Sequence, residues 1–155
     1  MSDHPANRST ADREFVHSRL IDAPQEKVFK VFADPSHLAR WWGPNGFTST
    51  FNTFDLRPGG VWRLVMHGPA GMNYLNESVF REVVAPERIV LEHLGDVHHF
   101  FLTITFVAEG DKTRVGWRQV FDTAEHKERI AKMVVEANEQ NLSRLADEVR
   151  RVARR

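Results

Sequence analysis

The stretch from Asp122 to Val152, DTAEHKERIAKMVVEANEQNLSRLADEVRRV, contains neither glycine nor proline, and it decides the fold. Its apolar residues recur at helical spacing and share one face when projected at about 100° per residue. At about 1.5 Å per residue the predicted helix is about 45 Å long, enough to cross a whole sheet. Asp122 is predicted to cap it, with Glu125 at the reciprocal capping position. The apolar face comprises Ile130, Val134, Ala137, Leu145, Val149 and Val152, with Met133 and Leu142 at its margins.

Short alternating runs precede this helix and predict an antiparallel meander. Apolar and polar residues alternate with period two, and glycine- and proline-rich turns such as RPGG (57–60) and GPAG (68–71) separate the runs. The predicted strands are 47–56, 61–67, 73–84, 88–93, 100–107 and 113–121.

The N-terminal third predicts one more strand and two short helices. Residues 13–21 form the strand, and Asp22-Ala23-Pro24 ends it and opens a helix. Asp34-Pro35-Ser36 breaks that helix and caps a second one. Residues 1–12 are polar and aperiodic, so we expect a disordered tail followed by a single domain over 13–155.

Composition excludes several classes of protein. The 155 residues are 41% hydrophobic and 27% charged, with 21 basic and 21 acidic side chains, which is typical of a globular domain without a nucleic-acid-binding face. Cysteine is absent, so disulfides and thiolate metal sites are excluded. The N-terminus does not resemble a signal peptide, and no run of about 18 apolar residues predicts a membrane span. A cytoplasmic location is the resulting expectation.

Six motifs in sequence order resemble a known family. The motifs are LIDAP (20–24), Val28-Phe29, Asp34-Pro35 leading to WWGP (41–44), DLRPGG (55–60), MHGP (66–69) and PERI (86–89). With these motifs the chain is similar to the family named after the activator of heat-shock protein 90 ATPase, in the SRPBCC superfamily (START-like and birch-pollen-allergen-like proteins). The resemblance extends from about residue 13 to residue 150.

This resemblance implies an α+β helix-grip fold. A curved antiparallel sheet of about seven strands would wrap around the long C-terminal helix, with two short helices after the first strand. The resemblance also implies an apolar cavity between the sheet and the helix. The superfamily includes lipid carriers, polyketide cyclases and dehydratases, hormone receptors and co-chaperones, so the fold alone does not identify the ligand.

Inward-facing residues of the strands and helix are the candidate lining of that cavity. Trp62, Leu64 and Met66 alternate with polar or opposite-facing neighbours, and the same argument applies to later strands. The alternative is that they only fill a core. The candidate ligand-binding residues are Trp42, Trp62, Leu64, Met66, Leu102, Ile104, Trp117, Gln119, Met133, Asn138 and Asn141.

Two asparagines stand out because they project onto the apolar face of the helix. A buried amide is costly unless it is paired, so Asn138 and Asn141 need a partner, for which inward-facing Gln119 is a candidate. They either anchor a ligand or contact the backbone of a loop, and both possibilities remain open at this stage.

His93 and Glu77 are weak candidates for a catalytic acid or base. Either would have to face the cavity, and each could equally be a solvated or structural side chain. His98 and His99 are adjacent on a strand and therefore point to opposite faces, which argues against a shared metal site. No phosphate-binding loop follows the glycine-rich turns, so no metal or nucleotide cofactor is expected.

The leading hypothesis is a protein that binds a small, mainly apolar molecule. The first alternative is a cyclase- or dehydratase-like enzyme that uses the same cavity. The second is a co-chaperone-like module that acts through an exposed apolar patch. A homodimer formed through an edge strand is also open.

Overall fold

The computed structural model describes residues 9–95 and 98–153. One seven-stranded sheet, three α-helices and a short 3-10 turn make up this part of the chain. In order, the elements are the turn Ala11–Arg13, β1 (Glu14–Ile21), α1 (Gln25–Ala33), α2 (Pro35–Trp41), β2 (Thr48–Phe54), β3 (Val61–His67), β4 (Asn73–Val84), β5 (Arg88–Leu94), β6 (Phe100–Glu109), β7 (Lys112–Phe121) and α3 (Ala124–Ala153).

The sheet is antiparallel throughout, with the strand order β1-β7-β6-β5-β4-β3-β2. The pairing register shifts between Phe51 and Thr53 in β2 and between Phe80 and Glu82 in β4. Such bulges bend a strand and increase its twist. The architecture is the helix-grip α+β fold that the sequence predicts.

Alternation along the strands places one set of side chains on the inner face, as predicted. Trp62 and Leu64 are each 1% exposed, whereas Arg63 between them is solvent-exposed. In β6 and β7 the buried set is Leu102, Ile104, Phe106, Val115, Trp117, Gln119 and Phe121.

Helix α3 packs against β1, β7, α1 and α2. Its buried face includes Val134, Leu142, Leu145 and Val149, close to the predicted stripe. The predicted cap is displaced by one residue, because Thr123 Oγ1 accepts the hydrogen bond from the backbone N–H of His126 at 3.1 Å. Asp122 instead contacts His99, with 2.8 Å between Oδ1 and Nδ1.

Helices α1 and α2 complete the core. Val28, Val31 and Phe32 of α1 and Leu38 and Trp41 of α2 are almost completely buried, and they belong to the same apolar cluster as the inner face of the sheet. Asp34 caps α2 as predicted, since its Oδ1 accepts a hydrogen bond of 3.0 Å from the backbone N–H of Ser36.

The predicted N-terminal tail is in part attached to the domain. Residues 1–8 lie outside the described residues. Thr10 Oγ1 accepts a hydrogen bond of 2.6 Å from Arg118 and donates one of 2.6 Å to Glu14, and Arg13 donates one of 2.7 Å to the carbonyl oxygen of Phe121. Among the described residues 9–13, Thr10 and Arg13 therefore form hydrogen bonds with the domain. Among the described helices, none combines the length and apolar character needed to cross a membrane.

Candidate ligand-binding cavity

A cavity of about 280 Å³ lies between α3 and the inner face of the sheet. The loop after α2 and strands β3 to β7 contribute its walls. Its lining residues are Trp42, Gly43, Pro44, Trp62, Leu64, Met66, Asn76, Ser78, Leu91, His93, His98, Phe100, Leu102, Trp117, Gln119, Ala137, Asn138 and Asn141.

Three tryptophans form a continuous aromatic wall. The Trp42 ring lies between those of Trp62 and Trp117, with centroid distances of 4.8 Å and 5.7 Å. Trp41 does not line the cavity, since it is 1% exposed and its Nε1 donates a hydrogen bond of 3.0 Å to the carbonyl oxygen of Val31. Among the described residues, the buried indole N–H groups of Trp62 and Trp117 have no hydrogen-bond partner.

One polar pair spans the gap between the sheet and α3. Asn138 Nδ2 donates a hydrogen bond of 3.0 Å to Gln119 Oε1, and each residue is 7% exposed. This is the partnership that the sequence suggests for Gln119. It connects the middle of α3 to β7 across the cavity.

Asn141 also lines the cavity, but its amide is engaged by the loop after α2. Its Nδ2 donates to the carbonyl oxygen of Trp41 at 2.9 Å, and its Oδ1 accepts from the backbone N–H of Gly43 at 3.3 Å. Of the two roles left open by the sequence for Asn141, the geometry therefore matches contact with loop backbone.

His93 is the titratable candidate that faces the cavity. It stacks on Phe100 with 4.7 Å between ring centroids. Burial, assisted by the nearby His98 and His99, lowers the pKa of His93 to about 4, so its imidazole is neutral at neutral pH. His98 also lines the cavity, and burial together with His126 lowers its pKa.

His98 and His99 precede β6 and do not lie on a strand, contrary to the prediction, and His99 does not line this cavity. It contacts Glu92 at 2.7 Å and Asp122 at 2.8 Å, and these carboxylates raise its pKa. The described residues contain no group of three or more His, Asp or Glu side chains arranged to hold a metal ion.

Three predicted site residues lie elsewhere. Glu77 is on the outer face, where its carboxylate pairs with Arg63 at 3.1 Å and remains 40% exposed. Met133 is 60% exposed, because its position on α3 lies beyond the stripe that faces the sheet. Ile104 is 1% exposed within the close-packed core and contributes nothing to the cavity lining.

Several lining residues escaped the sequence prediction. Ser78 and Asn76 share the inner face of β4 with Phe80, and Ser78 is the register partner of both Trp62 and His93. Apolar residues occur on both faces of β4, so alternation alone does not identify either residue. Ala137 was assigned to the apolar helix face but not to the cavity.

The cavity adjoins two more open depressions. An outer groove of about 630 Å³ shares Pro44 and Ala137 with it and includes the exposed Met133. A second depression of about 480 Å³ shares Asn76, His93 and His98 with it. Pro44 and Ala137 therefore separate the cavity from the outer groove.

Sequence comparison identifies the family. The family model described as "Activator of Hsp90 ATPase homolog 1-like protein" matches residues 22–150. The chain belongs to this family. The match extends from the end of β1 into the last turn of α3. It includes the residues that line the cavity of this family member. No curated protein is significantly similar to it in sequence.

Solved structures share the fold of this family member. A Nitrosomonas europaea protein has a TM-score of 0.85 at 19% identity, over 94% of this chain and 99% of its own. An Arthrobacter aurescens protein has a TM-score of 0.84 at 21% identity, over 94% and 90%. A Chromobacterium violaceum protein has a TM-score of 0.78 at 25% identity, over 86% and 95%. Similarity at this level establishes a common architecture.

Proposed function

We propose that the protein binds a small, mainly apolar molecule in the cavity between the sheet and α3. The observation that carries this proposal is the contrast between the cavity and the core next to it. Phe80, Ile89 and Ile104 belong to the buried core and do not line the cavity, whereas Trp42, Trp62 and Trp117 border about 280 Å³ of open space. Native interiors leave few voids larger than a water molecule, so a space of this size supports a binding role.

Size and lining both suit a small ligand. Ligand sites are typically about 300–1,000 Å³, apolar, and equipped with a few convergent polar groups. This cavity lies just below that range, and it has an aromatic wall and the Gln119–Asn138 pair. A compact, flat molecule fits better than a long lipid chain.

Native mass spectrometry of the protein as purified is the first test, because it detects a retained small molecule directly. Titration with the uncharged fluorescent probe N-phenyl-1-naphthylamine is the second. Ala137→Phe introduces a ring into the lining, and Val135→Phe is its matched control, since Val135 is 42% exposed on α3 and borders no part of the cavity.

We expect Ala137→Phe to weaken binding of the probe by about tenfold or more, equivalent to about 1.4 kcal/mol, and Val135→Phe to leave it unchanged. Equal affinity in all three proteins would mean that the probe binds elsewhere. Absence of binding to the wild-type protein, together with no retained molecule, would contradict the proposal.

His93 supports a second candidate function, which is proton-transfer catalysis on the bound molecule. A neutral imidazole in an apolar enclosure can accept a proton from a substrate, although a pKa of about 4 makes it a weak base. If the purified protein retains a molecule, chromatography and mass analysis after incubation would show whether it is converted. Conversion by the wild-type protein and not by His93→Phe is the outcome that would favour catalysis.

The co-chaperone-like alternative has less support from the surface. Val16 and Leu20 of β1 are exposed on the outer face, but their register partners in β7 are Arg118 and Arg114. Both arginines form ion pairs, with Glu14 and Glu109 respectively. Charged side chains thus interrupt this apolar surface.

A further inference from the structure

The residues that line the cavity indicate the charge of a molecule that could bind there. Among the lining residues that the structure describes, none is Lys, Arg, Asp or Glu. The two titratable groups are His93 and His98, and burial lowers the pKa of each, which favours the neutral form. A charged ligand would lose its hydration without gaining a counter-charge, which is strongly unfavourable.

The Gln119–Asn138 pair indicates which polar group a molecule bound in the cavity would carry. Each side-chain amide has an N–H₂ donor and a carbonyl acceptor, and one hydrogen bond joins the two residues. Within residues 9–95 and 98–153, no second partner is present for Gln119 Nε2 or Asn138 Oδ1. If both side-chain amides were rotated by 180°, Gln119 would donate the hydrogen bond to Asn138. One donor and one acceptor would again be left over. The pair therefore offers both kinds of group in either orientation.

Both residues are 7% exposed and line the cavity, so these two groups are available to a molecule bound there. Ser78, which is 4% exposed, adds a hydroxyl on the β4 wall. The tryptophan wall suits flat rings, which stack or meet edge to face. The complementary molecule therefore has an aromatic body and one group that both donates and accepts a hydrogen bond.

We infer that the cavity selects an uncharged aromatic ligand that carries a hydroxyl or amide group, and that Gln119 and Asn138 recognise this group. This inference rests on the proposed function, since it specifies the chemistry of the molecule bound at the same site.

Three probes with the same two fused rings test the inference. They are naphthalene, which has no polar group, 2-naphthol, which adds a neutral hydroxyl, and 2-naphthoate, which adds a charge. Binding at pH 7 is followed through the backbone and side-chain amide signals of the ¹⁵N-labelled protein. We expect 2-naphthol to bind about tenfold more tightly than naphthalene, and 2-naphthoate more weakly than naphthalene.

The double variant Gln119→Leu/Asn138→Leu removes both amides together, so neither is left without its partner. We expect it to bind 2-naphthol no more tightly than naphthalene, so that the preference of the wild type is lost. Asn52→Leu is the control, because it removes an exposed side-chain amide on β2 outside the cavity, and it should keep that preference. If the double variant fails to fold, the order of the three probes on the wild type decides the question.

The outcomes separate the two proposals. Equal affinity for naphthalene and 2-naphthol would leave cavity binding intact and overturn the inference. Tightest binding of 2-naphthoate would also overturn it. If none of the three probes binds the wild type, both the inference and the proposed function are contradicted.

Discussion

The guanidinium group of Arg144 donates a hydrogen bond of 2.8 Å to the carbonyl oxygen of Gly43, which joins α3 to the loop that closes the cavity. Arg144 also donates to the carbonyl oxygens of Pro44, Arg40 and Phe47 at 2.8, 2.8 and 3.0 Å. Burial lowers the pKa of this guanidinium. One side chain thereby satisfies several carbonyl groups of a loop without regular structure.

Arg144→Lys should therefore destabilise the protein while keeping the positive charge. An ammonium group cannot reproduce the planar fork of a guanidinium, so some of these carbonyl groups lose their partner. We expect a loss of about 1–3 kcal/mol in the free energy of unfolding, measured with urea. Arg150→Lys is the control, because Arg150 forms an exposed pair with Asp147, and its change should stay within about 0.5 kcal/mol. Equal effects would contradict the proposed role of the loop contacts.

Asn141→Leu tests whether that asparagine supports the loop. Leucine leaves the carbonyl oxygen of Trp41 and the N–H of Gly43 without their partner, so we expect the ligand-free protein to lose about 1–3 kcal/mol of stability. Thermal unfolding with and without N-phenyl-1-naphthylamine provides the measurement. A variant that is as stable as the wild type, yet binds the probe more weakly, would instead make Asn141 a ligand anchor.

Local patterns predicted the strands and helices, and the family resemblance predicted their helix-grip arrangement. A helix of this length with one apolar stripe needs a sheet to cover, and the turns from Gly43 to Gly110 permit only short antiparallel connections. The tryptophans of the wall were predictable for the same reason, since alternation in β3 and β7 fixes the inner face at Trp62 and Trp117. Buried strands of this kind define their own register.

The polar part of the cavity was less predictable. In β4, apolar residues occur on both faces, and the register shift after Phe80 changes the alternation, so the sequence does not decide between Glu77 and Ser78. Met133 was predicted to lie at the margin of the apolar face of the helix. The spacing of apolar residues identifies that face but not where the face ends. The contact of Asn141 with Trp41 joins residues 100 positions apart, which no local pattern reveals.

The stability of the protein should depend on the protonation of His93. The native pKa of about 4 lies below the ordinary value of 6.5, so the unfolded chain binds more protons between these two values. Stability should therefore fall as the pH decreases from about 6.5 to about 4, with a total contribution of up to about 3 kcal/mol.

His93→Phe keeps a ring stacked on Phe100 and removes the titrating group. As the pH decreases from about 6.5 to about 4, the free energy of unfolding of the wild type should therefore fall relative to that of the variant. The contributions of carboxylates common to both proteins cancel in this difference. Parallel pH profiles would show that the imidazole is not buried as the structure places it.

Gly59 and Gly60 lie in the turn between β2 and β3. Substitution by alanine should lower the free energy of unfolding much more at Gly60 than at Gly59. A Cβ atom at Gly60 would lie 1.9 Å from the carbonyl oxygen of Asp55, whereas at Gly59, where φ is +83°, it would meet nothing within 4 Å. Backbone hydrogen bonds of 2.7 and 2.9 Å join these two glycines to Phe80, whose ring stacks on Trp62 of the cavity wall.

Gly60→Ala must move backbone on one side of the turn, so we expect a loss of about 3 kcal/mol or more in the free energy of unfolding. Gly59→Ala only places alanine in the left-handed region, which costs about 1–2 kcal/mol. Urea unfolding of both variants measures the difference. Because the turn is bonded to the strand that carries Phe80, the folded fraction of Gly60→Ala should also show changed tryptophan fluorescence. Similar losses in the two variants would mean that the turn relaxes freely and does not fix the wall.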